Sequence, residues 1–210
     1  MPAKLSISNH PLVQHKLSLL RDRNISQKEF RELCYEIGIL LGTEATRDLL
    51  LVPSVPLEHP IRIETVKIAE KIALVPILRA GLGLVDALLH LLPIADVLHL
   101  GLYRDKNTLK PVEYYNKLPD TCQVDQCIIL DPMLATAGTA IAAVSILKDW
   151  GVKNIKLVSL VASRSGIQAL EKAHPDVSVF VAAVDSELSQ SGYIVPGLGD
   201  AGDRLFNRKD

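Results

Sequence analysis

Five runs of β-branched and aliphatic residues recur beyond residue 60: Ile72–Ile77, Val97–Leu102, Gln126–Leu130, Ile155–Ala162 and Val177–Val184. They are apolar almost throughout rather than at alternate positions, the pattern of strands covered on both faces. Helix-like stretches at about Gly83–Leu91, Thr139–Trp150 and Gly166–Ala173 lie between several of them. The second is closed by Gly151, a residue suited to a helix C-terminus. Strand, helix and strand in this rhythm predict an α/β fold, a parallel sheet with helices on both faces. Ligands of such sheets bind at the carboxyl ends of the strands, where loops converge.

The first fifty residues differ. Ser26 and Glu29 have the spacing of a capping box, and Phe30, Leu33, Cys34, Ile37, Leu40 and Leu41 follow at helical spacing. They predict an amphipathic helix from about residue 27 towards Leu49. Leu12, Val13, Leu17 and Leu20 suggest a shorter helix before it. This N-terminal helical layer is suited to covering a sheet or another subunit. No catalytic pattern is visible in it.

A chain of 210 residues with 48% apolar residues can bury one sizeable core, so residues 1–210 are expected to form a single domain. With 23 basic against 24 acidic residues it lacks the positive excess of a general nucleic-acid binder. Cys34, Cys122 and Cys127 match no disulfide or zinc framework, and the six histidines have no ligand spacing. No run is apolar enough to span a bilayer and the start lacks the apolar core of a secretory signal, which places the protein in the cytoplasm. Ser163 and Ser165 sit in no nucleophile elbow, and Trp150 reads as a packing residue.

Four segments carry possible chemistry. In the first, the strand ends at Asp131 and a small-residue loop, Pro132-Met133-Leu134-Ala135-Thr136-Ala137-Gly138-Thr139, leads into a helix. Backbone amides at a helix start surround phosphate well, Thr136 and Thr139 add hydroxyl donors, and Asp131 suits ribose hydroxyls. A Gly/Thr turn before a helix is also an ordinary cap. The second segment, Val75 to Gly83, carries one arginine, Arg79, in a glycine-flanked turn; its planar fork suits phosphate oxygens, although surface arginines are common. The third opens with Tyr103-Arg104-Asp105 and runs to Asp125 through Lys106, Lys110 and Tyr114-Tyr115, an irregular charged stretch that reads as a flap or as solvated surface. The fourth is the glycine-rich tail, in which Tyr193, Ile194, Val195 and Leu198 give an otherwise flexible end something to pack.

The segment Asp131–Thr139 resembles the phosphoribosyl pyrophosphate (PRPP) motif of type I phosphoribosyltransferases, in the form found in uracil phosphoribosyltransferases. The likeness extends from His10-Pro-Leu-Val through Phe30-Arg-Glu-Leu to the tail. It implies the type I phosphoribosyltransferase fold, with a flap at about 103–125 and a uracil-binding hood at about 185–210. The implied reaction joins uracil to the ribose of PRPP, giving UMP and diphosphate, with Mg2+ carried by PRPP rather than bound directly by the protein. It implies that Arg79, Arg104, Asp200 and residues 131–139 (Asp131, Pro132, Met133, Leu134, Ala135, Thr136, Ala137, Gly138 and Thr139) bind PRPP. Arg104 and Asp200 would be catalytic, and Tyr193, Ile194, Gly199, Asp200 and Ala201 would bind uracil. A homo-oligomer, dimer or tetramer, and a GTP effector belong to the same expectation. Ala137 departs from the family's usual glycine, which strains the loop if it needs a positive φ. The alternatives are transfer to another base, such as a purine, and a nucleotide sensor that kept the fold.

Overall fold

The computed structural model describes residues 5–58, 60–104 and 111–206, and of Arg104 the backbone alone. Along the chain these form β1 (Leu5–Ile7), α1 (Pro11–Leu20), α2 (Gln27–Ala45), β2 (Leu51–Pro53), β3 (Leu57–Glu58), β4 (Arg62–Ile63), β5 (Val66–Ile68) and β6 (Ile72–Leu78). A 3-10 turn, Ala80–Leu84, precedes α3 (Val85–Leu91), β7 (Asp96–Val97), β8 (Leu100–Arg104) and β9 (Pro111–Asn116). Then come β10 (Gln126–Leu130), β11 (Met133–Leu134), α4 (Gly138–Trp150), β12 (Asn154–Ser163), α5 (Arg164–Ala173) and β13 (Ser178–Asp185). The tail contributes β14 (Glu187–Leu188), β15 (Ile194–Val195) and α6 (Ala201–Phe206).

The main sheet runs β1-β13-β12-β10-β6-β8-β9, parallel throughout except for β9. All five residues of β10 are buried because helices cover both faces. Its side chains alternate: Ile128 and Leu130 pack with Phe30, Ile37 and Leu41 of α2, whereas Cys127 and Ile129 pack with Val144 and Leu147 of α4. The N-terminal helices therefore cover one face of the sheet, and α4 with α5 covers the other.

The capping box of α2 is present, with Glu29 N–H donating to Ser26 Oγ (3.2 Å) and Ser26 N–H donating to Glu29 Oε2 (2.7 Å). The helix stops at Ala45 rather than near Leu49. There the buried Lys156 of β12 donates to the Ala45 carbonyl (2.7 Å) and pairs with Asp48, a long-range cap with no local sequence signal.

Two other expectations need correction. Residues 103–125 are not irregular throughout, because β9 returns antiparallel along β8; five of the six β9 residues are exposed, so that strand has no continuous apolar run to read. Val97–Leu102 is also two strands, β7 and β8, both beside β6. The sequence also hid an arm between α2 and β6, where β2 pairs with β5 and β3 with β4. These pairs are two or three residues long, too short for a readable alternation.

Candidate active site

At the carboxyl end of β10 the chain crosses towards β12, which takes up the carbonyls of the loop. Ser159 Oγ donates to Asp131 O (2.5 Å), Leu160 and Val161 N–H donate to Pro132 O (3.0 and 3.1 Å), and Ser163 Oγ donates to Ala135 O (2.6 Å). Ala137 then accepts the first helical bond of α4, from Ile141 N–H (2.8 Å), and supplies no capping side chain. The opening amides of α4 have no carbonyl a turn earlier to bond, and they lie where an anion gains from the helix dipole.

Ala137 adopts φ 64° and ψ −2°, the single left-handed non-glycine residue among those described. The loop does need the conformation that glycine supplies without strain, and alanine holds it at a cost of about 1–2 kcal/mol.

Two adjoining cavities open over this loop. One, of about 230 Å³, is lined by Asp131, residues 133–140, Ala80 and the tail residues Gly192, Tyr193, Ile194 and Gly199–Gly202. The other, of about 330 Å³, lies beneath Arg79 and is lined also by Leu102, Tyr103 and Tyr114. Asp131, Thr139, Ala80, Asp200 and Gly202 border both, so the two are lobes of one cleft. The turn carrying Arg79 comes this close because Gly81 has no side chain: a Cβ there would lie 2.3 Å from the Leu130 carbonyl. The Leu78–Arg79 peptide is cis. Arg79 is exposed and forms an ion pair with Asp203 (3.6 Å).

The cleft gathers Arg79, Asp131, Met133, Leu134, Ala135, Thr136, Ala137, Gly138, Thr139, Tyr193, Ile194, Gly199, Asp200 and Ala201. Pro132 is the exception among the described candidates. It is buried, with its carbonyl turned to β12 and away from both cavities. The side chain of Arg104, together with Lys106 and Lys110, lies outside the described residues. Sequence reasoning missed Ala80, Gly192 and Gly202, which are small residues without chemistry of their own, and Asp203.

Burial pushes the Asp131 carboxyl up to about 7, against the opposing pull of the Met133 N–H. Its side chain keeps part of its exposure only by facing the cleft. Near neutral pH it is divided between acid and carboxylate, and a cation or hydroxyl donors brought by a ligand favour the carboxylate. Among the described residues no three histidine, cysteine or acidic side chains cluster as metal ligands, and no helix is long and apolar enough to cross a membrane.

The strain at Ala137 has a measurable sign. Ala-to-glycine changes usually weaken a fold, but Ala137→Gly is expected to stabilise this one by roughly 0.5–1 kcal/mol, seen as a higher Tm. A lower Tm for the folded variant would contradict the left-handed assignment.

A family model described as Uracil phosphoribosyltransferase matches residues 7–208. A uracil phosphoribosyltransferase from Roseiflexus sp. (strain RS-1) is 57% identical over 97% of this chain and 98% of its own. One from Clostridioides difficile (strain 630) is 54% identical over 99% of this chain and 100% of its own. Among solved structures, the AQ2163 protein from Aquifex aeolicus superposes with a TM-score of 0.91 at 36% identity, covering 97% of this chain and 98% of that one. A hypoxanthine phosphoribosyltransferase from Staphylococcus aureus shares the fold alone, with a TM-score of 0.52 at 12% identity over 86% of this chain and 84% of its own. With the type I phosphoribosyltransferase fold, the loop at residues 131–139 and near full-length likeness in place, the chain belongs to the uracil phosphoribosyltransferase family.

Proposed function

We propose that the cleft joins N1 of uracil to C1 of the PRPP ribose, releasing diphosphate and forming UMP for pyrimidine salvage. The observation that carries this reading is the continuity of the cleft, from the tail residues across the loop at residues 131–139 to Arg79. The 5′-phosphate sits at the start of α4 among backbone amides and the hydroxyls of Thr136 and Thr139. Asp131 holds the ribose hydroxyls in its ionised form. Arg79 takes up charge on the departing diphosphate, and Asp200 stands between the base and the reacting carbon. Catalysis is then mainly placement and charge stabilisation. Arg104, at the end of β8, has the catalytic role that the family resemblance implies, taking up diphosphate charge with Arg79.

Asp131 and Asp200 border both lobes and would face, through its bound waters, a magnesium ion carried in by PRPP, since such ions keep most of their waters. When bound, the ion neutralises diphosphate charge.

The uracil edge reads acceptor, donor, acceptor, and backbone groups near Ile194, Gly199 and Ala201 can answer it. Cytosine would leave a buried donor unpaired, at about 1–3 kcal/mol. With PRPP and magnesium, UMP formation from uracil is therefore expected, and formation of CMP from cytosine or of IMP from hypoxanthine at least about tenfold poorer in kcat/KM. Activity on hypoxanthine would overturn the base assignment, and UMP binding without turnover would favour a nucleotide sensor. The GTP effector rests on the family resemblance, so the same assay is run with and without GTP; an unchanged rate removes it. A cytoplasmic setting belongs to the same reading.

The arm supports a homo-oligomer. Leu51, Val55, Leu57, Ile61, Ile63 and Val66 are each more than half exposed along the one arm that the β2–β5 and β3–β4 pairs form, a concentration of exposed apolar side chains that suits an interface. Light scattering is expected to give at least a dimer, and Val55→Asp with Ile61→Asp to shift it towards monomer. A monomeric parent protein would sink this part.

A further inference from the structure

The turn Ile194–Gly199 presents backbone to the base lobe, yet strand pairing within the tail fixes little of it. β14 and β15 pair over two residues each, and the next regular element is α6. The turn is instead held from the far end of the sequence. Arg21, just past α1, donates through Nη1 and Nη2 to the two carboxylate oxygens of Asp185 (2.8 Å each), and Nη1 also donates to Gly197 O (2.9 Å). Gly197 N–H donates to the same carboxylate (2.8 Å). Both backbone polar groups of Gly197 are therefore fixed by one ion pair. Asp185 is 8% exposed and the Arg21 side chain 25%, so the carboxylate end of the pair is shielded from water and the pair is half-buried.

Gly197 is also sterically obligatory, with φ 55° and a Cβ position 2.1 Å from the Ile194 carbonyl. The next carbonyl, Leu198 O, accepts from Arg204 Nη1 (3.0 Å). The same guanidinium donates to Leu20 O (2.8 Å) and Asp22 O (2.6 Å) and lies 4.1 Å above the Phe30 ring. Two successive carbonyls of the turn are thus tied to residues 20–22. Gly197 and Leu198 do not line the cleft, whereas Ile194 before them and Gly199 after them do.

We propose that Arg21 is a positioning residue for base selection. Acting with Asp185 and Arg204, it pins Gly197 and Leu198 outward so that Ile194 and Gly199–Ala201 face the base, and the α1–α2 turn becomes part of the uracil site. The proposal rests on the uracil reading of the cleft. Arg21 touches neither substrate nor the reacting atoms, and its effect is transmitted through the backbone of the turn.

The test compares Arg21→Ala and Arg21→Lys with the parent protein in steady-state kinetics. Arg21→Ala is expected to raise KM for uracil about tenfold or more and to lower the uracil-to-cytosine ratio of kcat/KM, with KM for PRPP within about twofold. Arg21→Lys keeps the charge but not the fork, so it should fall between. A folded Arg21→Ala with unchanged uracil KM and unchanged base ratio overturns the proposal, as does an equal rise in both KM values. If Arg21→Ala does not fold, the same split is read in Arg21→Lys and Arg204→Lys, where unchanged uracil KM in both is again fatal. Hydrogen–deuterium exchange separates this outcome from failure of the uracil reading. Arg21→Lys should speed exchange across residues 194–201 even if the parent protein proves inactive on uracil, and unchanged exchange there overturns the clamp.

Discussion

The cleft depends on where the carbonyls of residues 131–137 point. A loop after a parallel strand has donors and acceptors to satisfy, and here β12 lies alongside and takes the acceptors. Ser159 binds Asp131 O, the Leu160 and Val161 amides bind Pro132 O, and Ser163 binds Ala135 O. With the carbonyls engaged behind the loop, α4 starts without a capping side chain and its amides remain for an anion. The proposed phosphate site needs no cationic side chain at its centre, which fits a chain of formal charge −1.

Around that loop, the cleft is walled by elements from distant parts of the chain. The turn after β6 brings Arg79 over one lobe, while the tail closes the other and is fastened to the α1–α2 turn by Arg21, Asp185 and Arg204. The N-terminal helices thus do two jobs. Phe30, Ile37 and Leu41 cover the sheet, and the same layer supplies the anchor for the turn at Gly197 and Leu198. Breaking the Arg21–Asp185 pair would leave a buried carboxylate uncompensated, which is costly.

How much of this could be read from sequence depended on whether a feature is local. β10, its loop and α4 were legible almost to the residue, because a continuous apolar run, an acid, small residues and a terminal glycine each have a local cause. The left-handed turn at position 137 could be anticipated from the family's usual glycine, and Ala137 occupies it nonetheless. The β9 half of the β8–β9 hairpin reads as irregular because it is mostly exposed and lacks a continuous apolar run, and the arm was hidden by strands of two or three residues. The end of α2 depends on Lys156, and the hood on Arg21 and Asp185, partners more than a hundred residues apart. No spacing rule reaches that far. Pro132, expected at the ligand, serves the strand pairing behind it.

The phosphate cradle is the central claim, and the most direct test is calorimetric titration with UMP and with uridine. Both offer the same base and ribose, and they differ only in the 5′-phosphate. The account predicts that UMP binds about 100-fold or more tightly than uridine, as expected for several charge-assisted hydrogen bonds to helix amides and hydroxyls. Equal affinities would mean that the start of α4 does not hold the phosphate, and the assignment of the cleft would fail with it.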